Sequence, residues 1–177
     1  MLLGFQPLYG GRGSFFSANA IVTAPVIWST AAGTGGPLLY NGSASGHSGV
    51  TAYLMAISYG LSVASAVAGA IGIATGATTA PTSTSAVTAS GNLTLNGPAP
   101  ICSVYSVGTV SAAATNFLPT GHIHTGAITL DTDDDNFVHL GGVIAIPPGY
   151  FASVSTSETL TTAVISIGLV WLEVPND

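Results

Sequence analysis

Charged side chains are almost absent from this chain of 177 residues, which carries one Arg, no Lys and seven acids. Charged residues make up 5% of the chain, against about a quarter of an average soluble domain. The residues that most often extend surface helices, Lys, Arg, Glu and Gln, are therefore nearly missing. Small and β-branched residues take their place, and these favour strands. The sequence predicts an all-β protein.

Length and charge narrow the classes of function. A chain of this length forms one domain with a core of its own. A formal net charge of −6 at pH 7 and a single cation, Arg12, leave no footprint for backbone phosphates, so we predict no nucleic-acid partner. Cys102 is the one cysteine, so no disulfide forms within the chain. Its apolar surroundings predict a buried, unreactive thiol.

The C-terminal third has the clearest strand pattern. Residues 137–140 lead into the apolar residues 143–146, residues 151–156 alternate with period two, and residues 163–174 form a long closing strand. Further strands are predicted at residues 37–41, 50–59, 61–75, 93–98 and 101–112, with a loop at 78–90 and a turn at 116–121. No helix of ordinary length is predicted. Strands separated by turns about every ten residues are typical of a sandwich or jelly roll.

The first 36 residues differ in character from the rest. Glycine-rich stretches surround Arg12 and residues 30–36, and Phe15, Phe16 and Trp28 lie between them. Aromatic residues in such a segment act as anchors on another surface. We therefore expect an extended N-terminal arm at residues 1–36, followed by a β-sandwich domain at residues 37–177. Arg12, Phe15, Phe16 and Trp28 are the expected contacts beyond that domain.

A family resemblance rests on three stretches of the sequence. They are residues 36–41, the turn Pro148-Gly149-Tyr150 with the alternating strand after it, and the final strand ending Val170-Trp171-Leu172-Glu173-Val174-Pro175. These resemble the single jelly-roll decoration, or cement, proteins on the heads of tailed phages, including cyanophages. The resemblance covers residues 37–175.

The resemblance implies a structural role. It implies a homotrimer that binds the major capsid protein on the outside of the virion, after synthesis in the host cytoplasm. It implies no enzymatic activity and gives no catalytic residue to assign. The sequence agrees, because it contains no nucleophile elbow and no phosphate-binding loop.

His122 and His124 belong to the only group in the sequence with metal-ligand chemistry. Histidines two residues apart on a strand point to the same face, and imidazole suits zinc or nickel. The alternative is that both rings make hydrogen bonds or lie at a trimer axis. We favour this alternative and predict no cofactor.

Asp131, Asp133 and Asp135 match the first three ligands of a calcium loop. That match then fails, because Asn136 stands where the loop needs Gly and Gly142 stands where it needs Glu. The sequence favours a solvated acidic turn, with a bound divalent cation as the alternative.

Glu173 shares its strand face with Trp171, because the two are separated by one residue. A carboxylate on an apolar strand accepts hydrogen bonds across a subunit interface or faces solvent at an edge, and both interpretations stay open. Trp171 and Glu173 are therefore further candidates for the interface.

Two other functions remain open from the sequence. One is a carbohydrate-binding jelly-roll module of a phage tail or fibre, with calcium at residues 131–135. The other is a small membrane protein with a helix in residues 50–77, which are uncharged and contain a Gly-x-x-x-Gly spacing. Two buried strands explain that segment equally well, and we predict no membrane partner.

Overall fold

Two antiparallel β-sheets pack face to face in this protein. The computed structural model describes residues 13–23, 27–29, 34–35, 37–42, 49–87, 90–91, 99–125 and 136–176. The predicted all-β sandwich is confirmed, and the described residues contain no helix. The strands are β1 (Ser14–Thr23), β2 (Thr34–Gly35), β3 (Leu38–Asn41), β4 (Val50–Val63), β5 (Gly69–Ala77), β6 (Thr82–Ala86), β7 (Ser90–Gly91), β8 (Ser103–Thr109), β9 (Asn116–Ile123), β10 (Asn136–Ile146), β11 (Tyr150–Thr156) and β12 (Val164–Pro175).

The strand order places the last strand next to the first. The five-stranded sheet has the order β10-β4-β12-β1-β7, and the seven-stranded sheet has the order β2-β8-β3-β11-β5-β9, with β6 paired to β8. Consecutive strands lie in different sheets at eight points of the chain: β1–β2, β3–β4, β4–β5, β6–β7, β7–β8, β9–β10, β10–β11 and β11–β12. Neighbours in each sheet are therefore mostly distant in sequence, and the two sheets cannot form independently of each other.

The core lies between the sheets, and the alternation of β1 shows how a strand contributes to it. On β1, Phe16, Ala18, Ala20 and Val22 are buried, whereas Ser17, Asn19 and Ile21 between them are more exposed. The closing strand β12 contributes Ile165, Ile167, Leu169 and Trp171 to this core. The opposite sheet supplies Ile71 and Ile73 from β5, and Ala152 and Val154 from β11.

Strand β1 corrects the predicted N-terminal arm. Residues Ser14–Thr23 pair along their whole length with β12, from Ser14 opposite Glu173 to Thr23 opposite Val164. The segment joins the sandwich because its inward residues fill the core, and that alternation outweighs the glycine-rich flanks. The domain boundary predicted at residue 37 therefore does not hold for residues 14–23.

The apolar segment at residues 50–77 forms β4 and β5, one in each sheet. Of the two predictions for this segment, a membrane helix and two buried strands, the structure shows the two strands. Among the described residues, the structure contains no helix with the length and apolar character needed to cross a membrane.

Strand β9 replaces the turn predicted at residues 116–121. Pro119 led to that prediction, but β9 is the last strand of its sheet, and the pairing with β5 shifts register between Ile71 and Gly72. An edge strand tolerates proline because one of its two sides needs no N–H donor. The predicted loop at residues 78–90 likewise contains a short strand, β6, whereas the strand predicted at residues 93–98 lies outside the described residues.

Candidate functional site

Glu173 is buried in the structure, with 4% of its surface exposed. Its Oε1 accepts hydrogen bonds from the indole N–H of Trp171 (3.0 Å) and the backbone N–H of Cys102 (3.0 Å). Its Oε2 accepts one from the backbone N–H of Ile101 (2.9 Å). The carboxylate therefore holds the start of β8, in the seven-stranded sheet, against β12 in the five-stranded sheet.

These contacts contradict both interpretations of Glu173 that the sequence left open. The carboxylate neither faces solvent nor reaches beyond the chain, because its oxygens bond to groups of the same molecule. Trp171 is fully buried and stacks on Phe16, with ring centroids 5.7 Å apart. Both predicted interface residues thus belong to the core, since alternation along β12 turns them inward. Glu173 serves to join the two sheets.

Cys102 lies beside Glu173 and is 2% exposed. Burial raises the pKa of its thiol well above the usual range, and the charge and hydrogen bond of Glu173 raise it further. The neutral thiol is therefore the stable form at physiological pH. This agrees with the buried, unreactive thiol that the sequence predicts.

The aromatic residues of the predicted arm have three different environments. Phe16 is 3% exposed within the core, so it has no surface left for a neighbouring molecule. Phe15 faces outward on β1 and is partly exposed. Trp28 stacks on Phe117 of β9, with centroids 5.7 Å apart and rings nearly parallel, so it anchors its segment to the same domain. Arg12 lies outside the described residues.

The candidate metal ligands are only partly within the described chain. His122 and His124 are exposed near the end of β9. Asp131, Asp133 and Asp135 fall outside the described residues. Within the described ranges, no three His, Cys, Asp or Glu side chains are close enough to hold a metal ion.

Within the part of the chain that the structure describes, the outer face of the five-stranded sheet carries a surface groove that is a candidate site. Its volume is about 390 Å³, and Ser17, Asn19, Ser58, Gly168 and Val170 contribute to its lining. Pairing places Asn19 opposite Gly168, and Gly168 opposite Ser58, so these three residues form one row across β1, β12 and β4. The lining contains hydroxyl and amide groups but no charge.

Gly168 is required for the depth of this groove. A methyl group at position 168 would lie 2.5 Å from the hydroxyl oxygen of Ser58. A side chain here would fill the floor and displace Ser58. A lone glycine inside an otherwise apolar strand is a sequence signal for such a close approach. The contribution of Asn19 and Ser58 has no local signal, because only the strand pairing brings them together.

No family model, curated protein or solved structure matches the chain.

Proposed function

We propose that this protein is a capsid decoration protein, which binds the outside of a phage head as a homotrimer and stabilises the shell. One observation carries the proposal. The described residues include no Lys or Arg and two Glu, and of these Glu173 is buried, which leaves Glu158 as the exposed carboxylate. A surface with so little charge loses little hydration free energy when another protein covers it.

Exposed apolar side chains support the same proposal. Val143 is 78% exposed at a bulge in β10, where Gly141 and Gly142 have φ values of +61° and +78°. Leu118 on β9 and Ile101 before β8 are 45% and 51% exposed. Single exposed apolar residues are ordinary on protein surfaces. Among the described residues they share the surface with one exposed carboxylate side chain, Glu158, and apolar side chains with so little charge around them favour association.

The strand order supports the jelly-roll fold that the family resemblance implies. Eight of the strands follow the order β10-β4-β12-β1 in one sheet and β3-β11-β5-β9 in the other. A jelly roll winds eight antiparallel strands into two such four-stranded sheets. The other four strands are additions to this scheme. Strand β2 lies between β1 and β3 in the chain, and β6, β7 and β8 lie between β5 and β9.

The mechanism of the proposed function is burial repeated over many contacts. A stable interface buries about 1,000 Å² or more. In a trimer, three weak contacts with the major capsid protein act together, because the first contact raises the effective concentration for the others. Because the decoration protein binds the assembled shell, its binding free energy stabilises that assembled state.

Size-exclusion chromatography with light scattering, without detergent, tests the trimer. We expect one peak at three times the chain mass, and co-sedimentation of that species with head shells prepared without it. A Val143→Glu variant places a charge on the most exposed apolar side chain, and Thr161→Glu adds the same charge to an exposed loop as a control. A monomeric wild-type protein at all concentrations would contradict the proposal.

A further inference from the structure

An aromatic residue lies beside the groove on the outer face of the five-stranded sheet. Ser58 pairs with Phe137 on β10, so the row across the sheet continues as Asn19, Gly168, Ser58 and Phe137. Adjacent strands lie about 4.8 Å apart, which makes the row about 14 Å long. Phe137 is 58% exposed, and its ring packs at 76° against the ring of His139, with centroids 4.7 Å apart. That contact orients the ring while leaving much of it uncovered.

The polar side chains of the groove are free to bind a ligand. Ser17, Asn19 and Ser58 make no side-chain hydrogen bond with any other described residue. Together they present two hydroxyls and one amide, which both donate and accept hydrogen bonds. The strands under the groove, β4 and β12, lie inside the sheet. Their backbone groups are already paired, so an added peptide strand has nothing to bond to there.

We propose that this groove binds an uncharged oligosaccharide. A sugar presents hydroxyl groups that match Ser17, Asn19 and Ser58. Its C–H face suits the partly negative face of an aromatic ring such as Phe137. The lining offers no cationic side chain to pair with a phosphate or sulfate ester. The volume of about 390 Å³ lies within the usual range of small-molecule sites. The residues of this site are different from those of the candidate calcium loop.

The test is a titration followed by amide NMR spectra of the whole chain. The probes are maltotriose, cellotriose, chitotriose and lactose, each added to tens of millimolar. We expect at least one probe to cause saturable shifts centred on the amides of Asn19, Ser58 and Gly168. Asn19→Ala and Phe137→Ala should each weaken that binding about tenfold, because each removes a contact worth roughly one hydrogen bond or one ring stacking. Thr23→Ala, on the same strand and face but outside the groove, should bind as the wild type does.

Three results would overturn the proposal. The first is no saturable shift with any probe. The second is binding that Asn19→Ala and Phe137→Ala leave unchanged. The third is a fall in the oligomeric mass of both variants, with no sugar bound by the wild type. That last result would assign the groove to contact with a second copy of the chain.

Discussion

Glu173 shows how one residue joins the two sheets. A carboxylate is costly to bury, and it stays in a core only where hydrogen bonds replace its hydration. Here the donors are the backbone N–H groups of Ile101 and Cys102 and the indole of Trp171. Hydrogen bonds to a charged acceptor are stronger than those between neutral groups. The loop before β8 is therefore fixed by a side chain 71 residues or more away in sequence.

Replacing this carboxylate should destabilise the protein. We expect Glu173→Ala to lower the free energy of unfolding by about 2–4 kcal/mol, since each buried donor left unpaired costs about 1–3 kcal/mol. Glu158→Ala removes the same side chain from an exposed position and should change stability by less than about 0.5 kcal/mol. Urea unfolding measures both variants. Equal stabilities for the two variants would show that the hydrogen bonds of Glu173 contribute nothing.

Strand β1 is the element that most changes the interpretation of the sequence. It lies between β12 and β7, and its residue Phe16 stacks on Trp171 at the centre of the core. The neighbouring Phe15 points to the other face of the sheet and is partly exposed. Two adjacent phenylalanines therefore contribute differently to stability, because successive side chains of a strand point to opposite faces of the sheet.

This difference between neighbours gives a prediction for β1. We expect Phe16→Ala to cost about 3–5 kcal/mol, because it removes a large buried side chain and leaves a cavity. Phe15→Ala, the matched control, should cost much less. Thermal and urea unfolding of the two variants provide the comparison. If residues 14–23 were an arm apart from the domain, both variants would unfold at the same denaturant concentration as the wild type.

At the scale of the whole molecule, three buried groups have raised pKa values. Burial is the main cause for the thiol of Cys102 and for the phenols of Tyr40 and Tyr59. Each of these groups is neutral when protonated, so the folded state keeps its proton to a higher pH than the unfolded state does. The stability that they contribute is complete below the unfolded pKa and is lost as pH rises above it.

The molecule should therefore lose stability in mild alkali. An unfolded cysteine titrates near pH 8.5 and an unfolded tyrosine near pH 10. Between about pH 7.5 and pH 9.5, Cys102 is thus the main contributor. We expect the free energy of unfolding to fall by about 1 kcal/mol over this interval. Urea unfolding at both pH values measures the fall. Cys102→Ala should largely remove it, and an equal fall in that variant would disprove the assignment.

The sequence by itself determined the secondary structure class and most strand positions. Alternating residues predict β11 and β12, and the small, β-branched composition predicts an all-β protein, because these are local preferences of the backbone and side chains. The same alternation places Glu173 on the face of Trp171. The apolar residues on either side of Cys102 likewise predict that its thiol is buried.

The tertiary structure alone decided which segments meet. Pairing of β1 with β12 joins residues about 150 positions apart, and no local pattern encodes that contact. The edge position of β9 made Pro119 acceptable in a strand. The row of Asn19, Gly168, Ser58 and Phe137 comes from four strands in register. Side-chain direction is a property of a single strand, whereas burial and binding surfaces depend on the neighbours that the fold supplies.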